Sequence, residues 1–304
     1  MSTRIPPSLD RRAARMASTP QRGAALVLVL WLVALLTALV GAFALSARVE
    51  RLQQRVQDDA GRAQEGVRAA TAYAVSRLRA DPLRPAWRAD GRLYRWQFDG
   101  MQVDIRVVDE AGKINPNLAD HALLEGFLRA LDETPESATR LAGAIIDWRD
   151  PDDLSPPGGG AEAQDYAADG RPYGPRNANV ETLGELQRVL GMRGDLFRRM
   201  QPLLTLYSRQ ARPDPRYAQG PVLTALGLDA AMILDQRKQQ QARPEDPAAQ
   251  PPLASGSGTY SIECRITAPG GRVVAARTIV RNTPAPALGQ AYTVLLREQG
   301  MAGQ

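Results

Sequence analysis

Asp150, Asp152, Asp153, Glu162 and Asp165 crowd five carboxylates into one short stretch, which Pro151, Pro156, Pro157 and Gly158 to Gly160 mark as a loop. Clustered oxygens on a flexible loop suit Ca²⁺, which takes about six to eight oxygen ligands. The spacing is not that of an EF-hand, because no D-x-D-x-D-G run with a glutamate at the twelfth position occurs. The rival reading is a solvated acidic loop that needs no ion. Repulsion separates the two: a compact loop of like charges is destabilised without a cation, and an exposed one is not. Paired carboxylates also serve glycoside hydrolysis, but these sit on a loop with no sign of a substrate cleft.

Other chemistry is thin. His121 is the single histidine, so a Ser-His-Asp triad would rest on it alone, and no G-x-S-x-G motif is present. Its place in the first turn of an expected helix suggests an exposed residue. Cys264 is the single cysteine, which excludes an internal disulfide and a multi-cysteine zinc site. Its expected place on a strand makes it a small buried hydrophobe. Trp87, Trp96 and Trp148 read as packing residues, with Trp148 also able to brace the acidic loop. The chain has 304 residues and a formal net charge of +5. Four of those net positive charges lie in residues 1–23, so the remainder is near neutral. Residues 130–170 carry a net charge of −8, which repels a phosphate backbone and argues against nucleic acid as a partner.

Several elements must position these residues. Ala24 to Ala47 contains no charged side chain over 24 positions. That is about 36 Å of helix, enough to cross a hydrocarbon core of about 30 Å. The arginines before it place the amino terminus in the cytoplasm by the positive-inside rule. Three readings stay open for this segment: an uncleaved signal anchor, a secretory signal peptide cut after Ala42-Phe43-Ala44, and a leader cut after Gly23. Met16 is an alternative start that would shorten the leader. From Arg48 to Arg79 a narrow apolar stripe recurs at three- and four-residue spacing, through Val49, Leu52, Val56, Ala60, Ala63, Val67, Ala70, Ala74 and Leu78. Asp81-Pro82 should end the helix. Gly41, Gly61 and Gly66 lower its helix propensity.

Residues 92–98, the Asp99-Gly100 turn and the alternation from Met101 to Val108 predict a β-hairpin. Strand signals then vanish. Helices are expected at Leu118–Asp132, Pro135–Trp148, Val180–Leu190, Asp195–Leu206 and Val222–Gln236, with Asn117 and Asn179 as caps. Their helix-turn-helix spacing suggests a sterile-alpha-motif-like or helix-hairpin-helix-like fold. A Gln-, Pro- and Ala-rich linker follows at 237–254. Strands return at 259–281, and Tyr292 to Leu296 reads as a last strand or short helix. The pattern is α+β, with a large all-α domain at 110–236 inserted between strands of one antiparallel sheet formed by 82–109 and 255–304. Residues 1–23 read as a leader and 24–81 as the amino-terminal helix.

Gln21-Arg22-Gly23 before an apolar helix starting at Ala24 resembles the class III leader of type IV pilins and pseudopilins. Further along stand Asp109-Glu110-Ala-Gly112-Lys113-Ile-Asn115, Ala144-Ile-Ile-Asp147-Trp148-Arg149-Asp150, Gly160-Ala161-Glu162 with Tyr166, and Arg176-Asn177 with Glu185-Leu186. Together they resemble the K-type minor pseudopilins of type II secretion, over about residues 20–297. The resemblance implies a pilin-like long helix packed on a small sheet, and a non-enzymatic role. It implies a place at the pseudopilus tip with I- and J-type minor pseudopilins, initiating and capping assembly. It implies cleavage between Gly23 and Ala24 by prepilin peptidase, with methylation of Ala24. It also implies calcium at the acidic loop, an inner-membrane anchor, a periplasmic carboxy-terminal domain, and contact with exported proteins. Two departures stand out: the glutamate usual at the fifth mature position is Leu28, and the proline often found further along is Leu45. The first suits a tip subunit. A buried unpaired charge is costly, and a subunit with nothing above it has no amine to neutralise. The alternative is an uncleaved bitopic protein with a calcium-stabilised periplasmic binding domain.

Overall fold

The computed structural model describes residues 22–78, 86–156, 158–242, 256–268, 271, 273–282 and 292–301, without the side chains of 22–24, 51–60, 240–242, 299 and 301. Two compact units result, residues 1–60 and 61–304. Residues 1–21 of the expected leader, the Asp81-Pro82 stop and most of the expected linker lie outside the described residues.

Helix α1 runs over Arg22–Leu78. In the first unit, its segment Ala25–Glu50 is long and apolar enough to cross a membrane, and none of it is buried. Leu28, Trp31 and Phe43 are 69%, 71% and 77% exposed. In the second unit α1 meets a sheet. Ala63, Val67, Ala70 and Ala74 of the expected stripe are buried, and Leu78 is half-buried. Gly66 makes the close approach possible, because a Cβ there would lie 3.0 Å from Ile266 Cδ1. Its cost in helix propensity is thus offset by packing.

The sheet has five strands in the order β1-β2-β3-β4-β5, each antiparallel to its neighbours. They are β1 (Asp90–Phe98), β2 (Met101–Asp109), β3 (Thr259–Thr267), β4 (Val273–Arg281) and β5 (Thr293–Met301). Asp99 and Gly100 both have positive φ, +48° and +72°, as a two-residue type I′ hairpin turn demands. One face of β2, β3 and β4 presents Val103, Ile105, Ile262, Cys264, Ile266 and Ala276 to the core that α1 covers. Burial there pushes the Cys264 thiol up to about 11, so it stays an inert thiol. Tyr73 stacks on Trp96, and Trp87 on Tyr94, at ring-centroid distances of 4.5 and 4.0 Å. On the opposite face Arg106, Glu263, Arg277 and Glu298 alternate in charge across four strands.

Among the described residues, the remaining helices all lie between β2 and β3, which are neighbours in the sheet. They are α2 (His121–Arg129), α3 (Pro135–Arg149), α4 (Ala163–Ala168), α5 (Gly194–Met200), α6 (Gly220–Ala225) and α7 (Ala230–Ala242), with a 3₁₀ turn at Leu183–Arg188. They enclose their own core, built on Phe127, Leu128, Ile145, Tyr166, Leu196 and Leu223. The two chain crossings at the sheet are tied together. Asp109 ends β2 and accepts hydrogen bonds from Ser257 N (2.8 Å) and Ser257 Oγ (2.5 Å), just before β3. Next to it, buried Glu110 and Lys113 pair at 2.6 Å, and Ser261 Oγ of β3 donates to the same Glu110 oxygen.

Several helix boundaries differ from expectation. Helix α2 is shorter, because Asp120 rather than Asn117 caps it, accepting from Leu123 N at 2.8 Å. The segment expected as Val180–Leu190 forms only the 3₁₀ turn, and Thr182 rather than Asn179 precedes it. Asp195–Leu206 shortens to α5 and a 3₁₀ turn at Gln201–Leu203, where Pro202 lacks the N–H a continued helix needs. Val222–Gln236 splits into α6 and α7, because Gly227 takes φ +77°. Helix α7 then runs to Ala242, into the segment expected as linker. His121 starts α2 but is only partly exposed, its Nε2 3.2 Å from Thr139 O.

Candidate metal centre

Helix α3 carries Asp147 in its last turn, and Asp150 caps its carboxy terminus. Three-residue spacing puts both carboxylates on one face. The chain leaves at Asp150, loops back through Gly158 to Gly160, and presents Glu162 immediately before α4. Carboxylate oxygens of Asp147, Asp150 and Glu162 all lie within 4.8 Å of one another.

The loop's glycines make this convergence possible. A Cβ on Gly160 would overlap Asp147 Oδ2, and one on Gly143 would overlap Gly159 O. Gly158 and Gly159 take φ of +100° and +107°, which L side chains rarely adopt. Asp147 Oδ2 is held by Ala161 N at 2.6 Å and by Ser155 Oγ at 3.0 Å. Arg149 anchors the same turn from behind, donating to Pro116 O and to Ala119 O. The backbone of Trp148 accepts from Asn177 N at 3.0 Å, and its ring lies 6.1 Å from that of Tyr166.

The electrostatics of this cluster are unbalanced. Asp147 Oδ1, Asp150 Oδ1 and both Glu162 oxygens are buried without a hydrogen-bond partner. Burial, and then the charges of Asp147, Asp153, Asp150 and Asp152, push the Glu162 carboxyl up to about 7. Asp147 is raised by burial and by Asp152 and Asp165, against the pull of its two hydrogen bonds. Asp150 is raised by burial and by Asp152 and Asp147, with Arg149 opposing. Unpaired buried carboxylates are costly, and a hard divalent cation with oxygen ligands removes that cost.

Of the residues singled out in the sequence, Asp150 and Glu162 come together here. Asp152 and Asp153 are exposed, and Asp152 Oδ1 accepts from Leu154 N at 2.9 Å. Asp165 Oδ2 accepts from Glu162 N at 2.8 Å and so orients the start of α4. Asp147 completes the group and was not among the expected ligands. Its three-residue offset from Asp150 was the available signal.

A family model described as type II secretion system (T2SS), protein K, matches residues 104–209, which span this centre. The type II secretion system protein K of Pectobacterium carotovorum subsp. carotovorum is 28% identical over 207 residues, covering 60% of this chain. The match spans 62% of that relative's length. A chain in the crystal structure of the GspK-GspI-GspJ complex from enterotoxigenic Escherichia coli superposes with a TM-score of 0.57, over 82% of this chain and 99% of its own length, at 19% identity. That likeness shares the mixed architecture of an amino-terminal helix and an antiparallel sheet. The stretch from Asp109 to Glu185 is thus similar in sequence to protein K of type II secretion systems, and the chain is similar in fold to a chain of the GspK-GspI-GspJ complex.

Proposed function

We propose that this chain is a minor pseudopilin, a non-enzymatic structural subunit of a type II secretion system, seated at the pseudopilus tip with I- and J-type partners. The observation that carries this reading is the architecture: an apolar helix continues into one packed on an antiparallel sheet, and a helical block rises between two adjacent strands. The bulk of that block would obstruct a further subunit stacking above it. Leu28, at the place of the usual glutamate, suits a subunit with no amine above it to neutralise. In this reading the apolar helix anchors the protein in the inner membrane by a single pass. The folded part faces the periplasm, where it would meet exported proteins. In the same reading prepilin peptidase cleaves between Gly23 and Ala24 and methylates Ala24. The fold of the complex chain supports partners of the I and J type for this protein by analogy of architecture.

Calcium belongs to the same proposal. Four unmatched carboxylate oxygens and a glycine-lined cradle fit a cation of this kind. Asp147, Asp150 and Glu162 would hold it. Asp152 and Asp153 are near enough to raise the Glu162 carboxyl, so they would add negative field or ligands as the loop adjusts. Asp165 would orient Glu162. The ion would fasten the 150–162 loop to α3.

Site-specific crosslinking in cells tests the tip position, with amino-terminal mass analysis of the same material. The expected result is a methylated Ala24 end, with crosslinks concentrated on I- and J-type partners. Crosslinks spread evenly along the major pseudopilin would sink the tip reading, and an intact leader would favour an uncleaved bitopic protein.

A further inference from the structure

The helical block and the sheet each have a hydrophobic core, and the two cores share no residue. The seam between them is of a different kind. Most of the buried polar and charged residues lie along it, between Asp109 and Asn115, at Thr205 and Ser208, and at Thr259 and Ser261.

The segment after β2 grips both sides of this seam. On the block side, Ile114 N donates to Leu203 O at 3.0 Å, Ile114 O accepts from Thr205 N at 2.9 Å, and Asn115 Nδ2 donates to Ser208 O at 2.8 Å. On the sheet side the segment meets Ser261 of β3. Ser261 Oγ donates to Glu110 Oε1 at 2.5 Å and accepts from Lys113 Nζ and Arg277 Nε, both at 3.2 Å. That uses the whole capacity of a hydroxyl, one donor and two lone pairs. Lys113 Nζ closes the triangle on Glu110 Oε1 at 2.6 Å.

Strength does not account for this network. Glu110 is fully buried and Lys113 is 4% exposed. Removing two such charges from water offsets much of their attraction, and an apolar pair of similar volume is often as stable or more so. The donors also converge on one oxygen, since Glu110 Oε2 is buried with no hydrogen-bond partner among the described residues. What the network has and apolar packing lacks is direction. Apolar burial is non-directional, whereas bonds that meet at Ser261 Oγ and Glu110 Oε1 are well aligned in one relative position of block and sheet.

We propose that the Glu110–Lys113–Ser261 network is an orientation key, which fixes the angle at which the helical block stands on the sheet and adds little to the stability of the fold. Arg277 extends the key to β5, its Nη1 lying 3.8 Å from Glu298 Oε2. None of these residues belongs to the carboxylate cluster of Asp147, Asp150 and Glu162.

Distances between spin labels read that angle, in the full chain in detergent micelles at constant calcium. Labels are placed on cysteines introduced at Arg95 of β1 and Arg198 of α5, both exposed, while Cys264 is buried and escapes labelling. A reference pair at Gln164 of α4 and Arg198 reports on the block alone. Glu110→Leu combined with Lys113→Met should melt at the wild-type temperature or above it, with an Arg95–Arg198 distance distribution about twofold broader than in the wild type. Ser261→Ala, which removes only the shared hydroxyl, should broaden the same distribution to a smaller extent. The reference distribution should stay as it is in both variants. A double variant that melts lower or does not fold would make the pair a source of stability and overturn the proposal. An Arg95–Arg198 distribution as narrow as the wild type's in either variant, or broadening shared by the reference pair, would overturn it as well.

Discussion

The unmatched oxygens of Asp147, Asp150 and Glu162 should make the proposed metal centre lose stability with rising pH and gain it with calcium. Without metal, the folded state holds the Glu162 proton up to about 7, against an ordinary value of 4.5. The native protein then binds more protons than the unfolded chain through that window, so stability falls as pH rises from about 4.5 towards 7. Asp147, Asp150 and Asp109 are also raised and act in the same direction. In chelator, the melting temperature should therefore be higher at pH 5 than at pH 7.5. Calcium should reverse the trend, because the ion competes with protons for the same oxygens. At pH 7.5 and about a hundredfold excess over Kd, binding is worth roughly 2.7 kcal/mol. For a domain of this size that is roughly 5–10 °C in melting temperature. Glu162→Gln should flatten the pH dependence in chelator and abolish the calcium shift. A wild-type protein indifferent to calcium at pH 7.5 would remove the metal from the proposal.

At the scale of the element, the helices depend on contacts far along the chain. Asn117 was expected to cap α2. Instead its side chain grips one distant residue twice, with Nδ2 donating to Val180 O at 2.9 Å and Oδ1 accepting from Val180 N at 2.8 Å. Asn117→Ala leaves a buried peptide group unmatched and should cost about 1–3 kcal/mol. That is roughly 3–10 °C in a thermal melt, with helix content nearly unchanged by circular dichroism. Had Asn117 been a cap, α2 would fray instead. The contrast marks what was legible. Asp99-Gly100 encodes its turn within two residues, so the hairpin could be read directly. The start of α3 is equally local, with Thr134 Oγ1 accepting from Ser137 N and Pro135 opening the first turn. Asn117, by contrast, is defined by a partner 63 positions away, and no local pattern reports that. Asp150 and Glu162 were legible as loop acids. Asp147 sat in a helix pattern, and only the fold turns that face towards Glu162.

For the whole molecule, the exposed apolar surface of Ala25–Glu50 decides the environment. Leaving such surface in water costs about 25 cal/mol for each Å². The protein should therefore remain in the membrane pellet after alkaline carbonate extraction and enter solution only with detergent. Release by carbonate alone would show that the helix is not an integral anchor. The basic pI of 9.6 says little about partners, because most of the excess charge precedes this helix.

The pairing of Asp109 with Tyr260 across β2 and β3 carries a consequence for how the chain acquires its structure. These strands are adjacent in the sheet, yet the whole helical block separates them in sequence. Bringing them together early would close a very long loop, with an entropy cost that grows with its length. Helices form from local contacts much sooner. The block should therefore fold first and draw its own ends together, with Asp109 then capturing Ser257 to set the β2–β3 register. Pulse-labelled hydrogen exchange should find Ile145 protected before Arg106, whose amide alternates to the β3 side of β2. The centre of the sheet should thus be the last part to assemble, although its two flanking hairpins are among the simplest local structures in the chain.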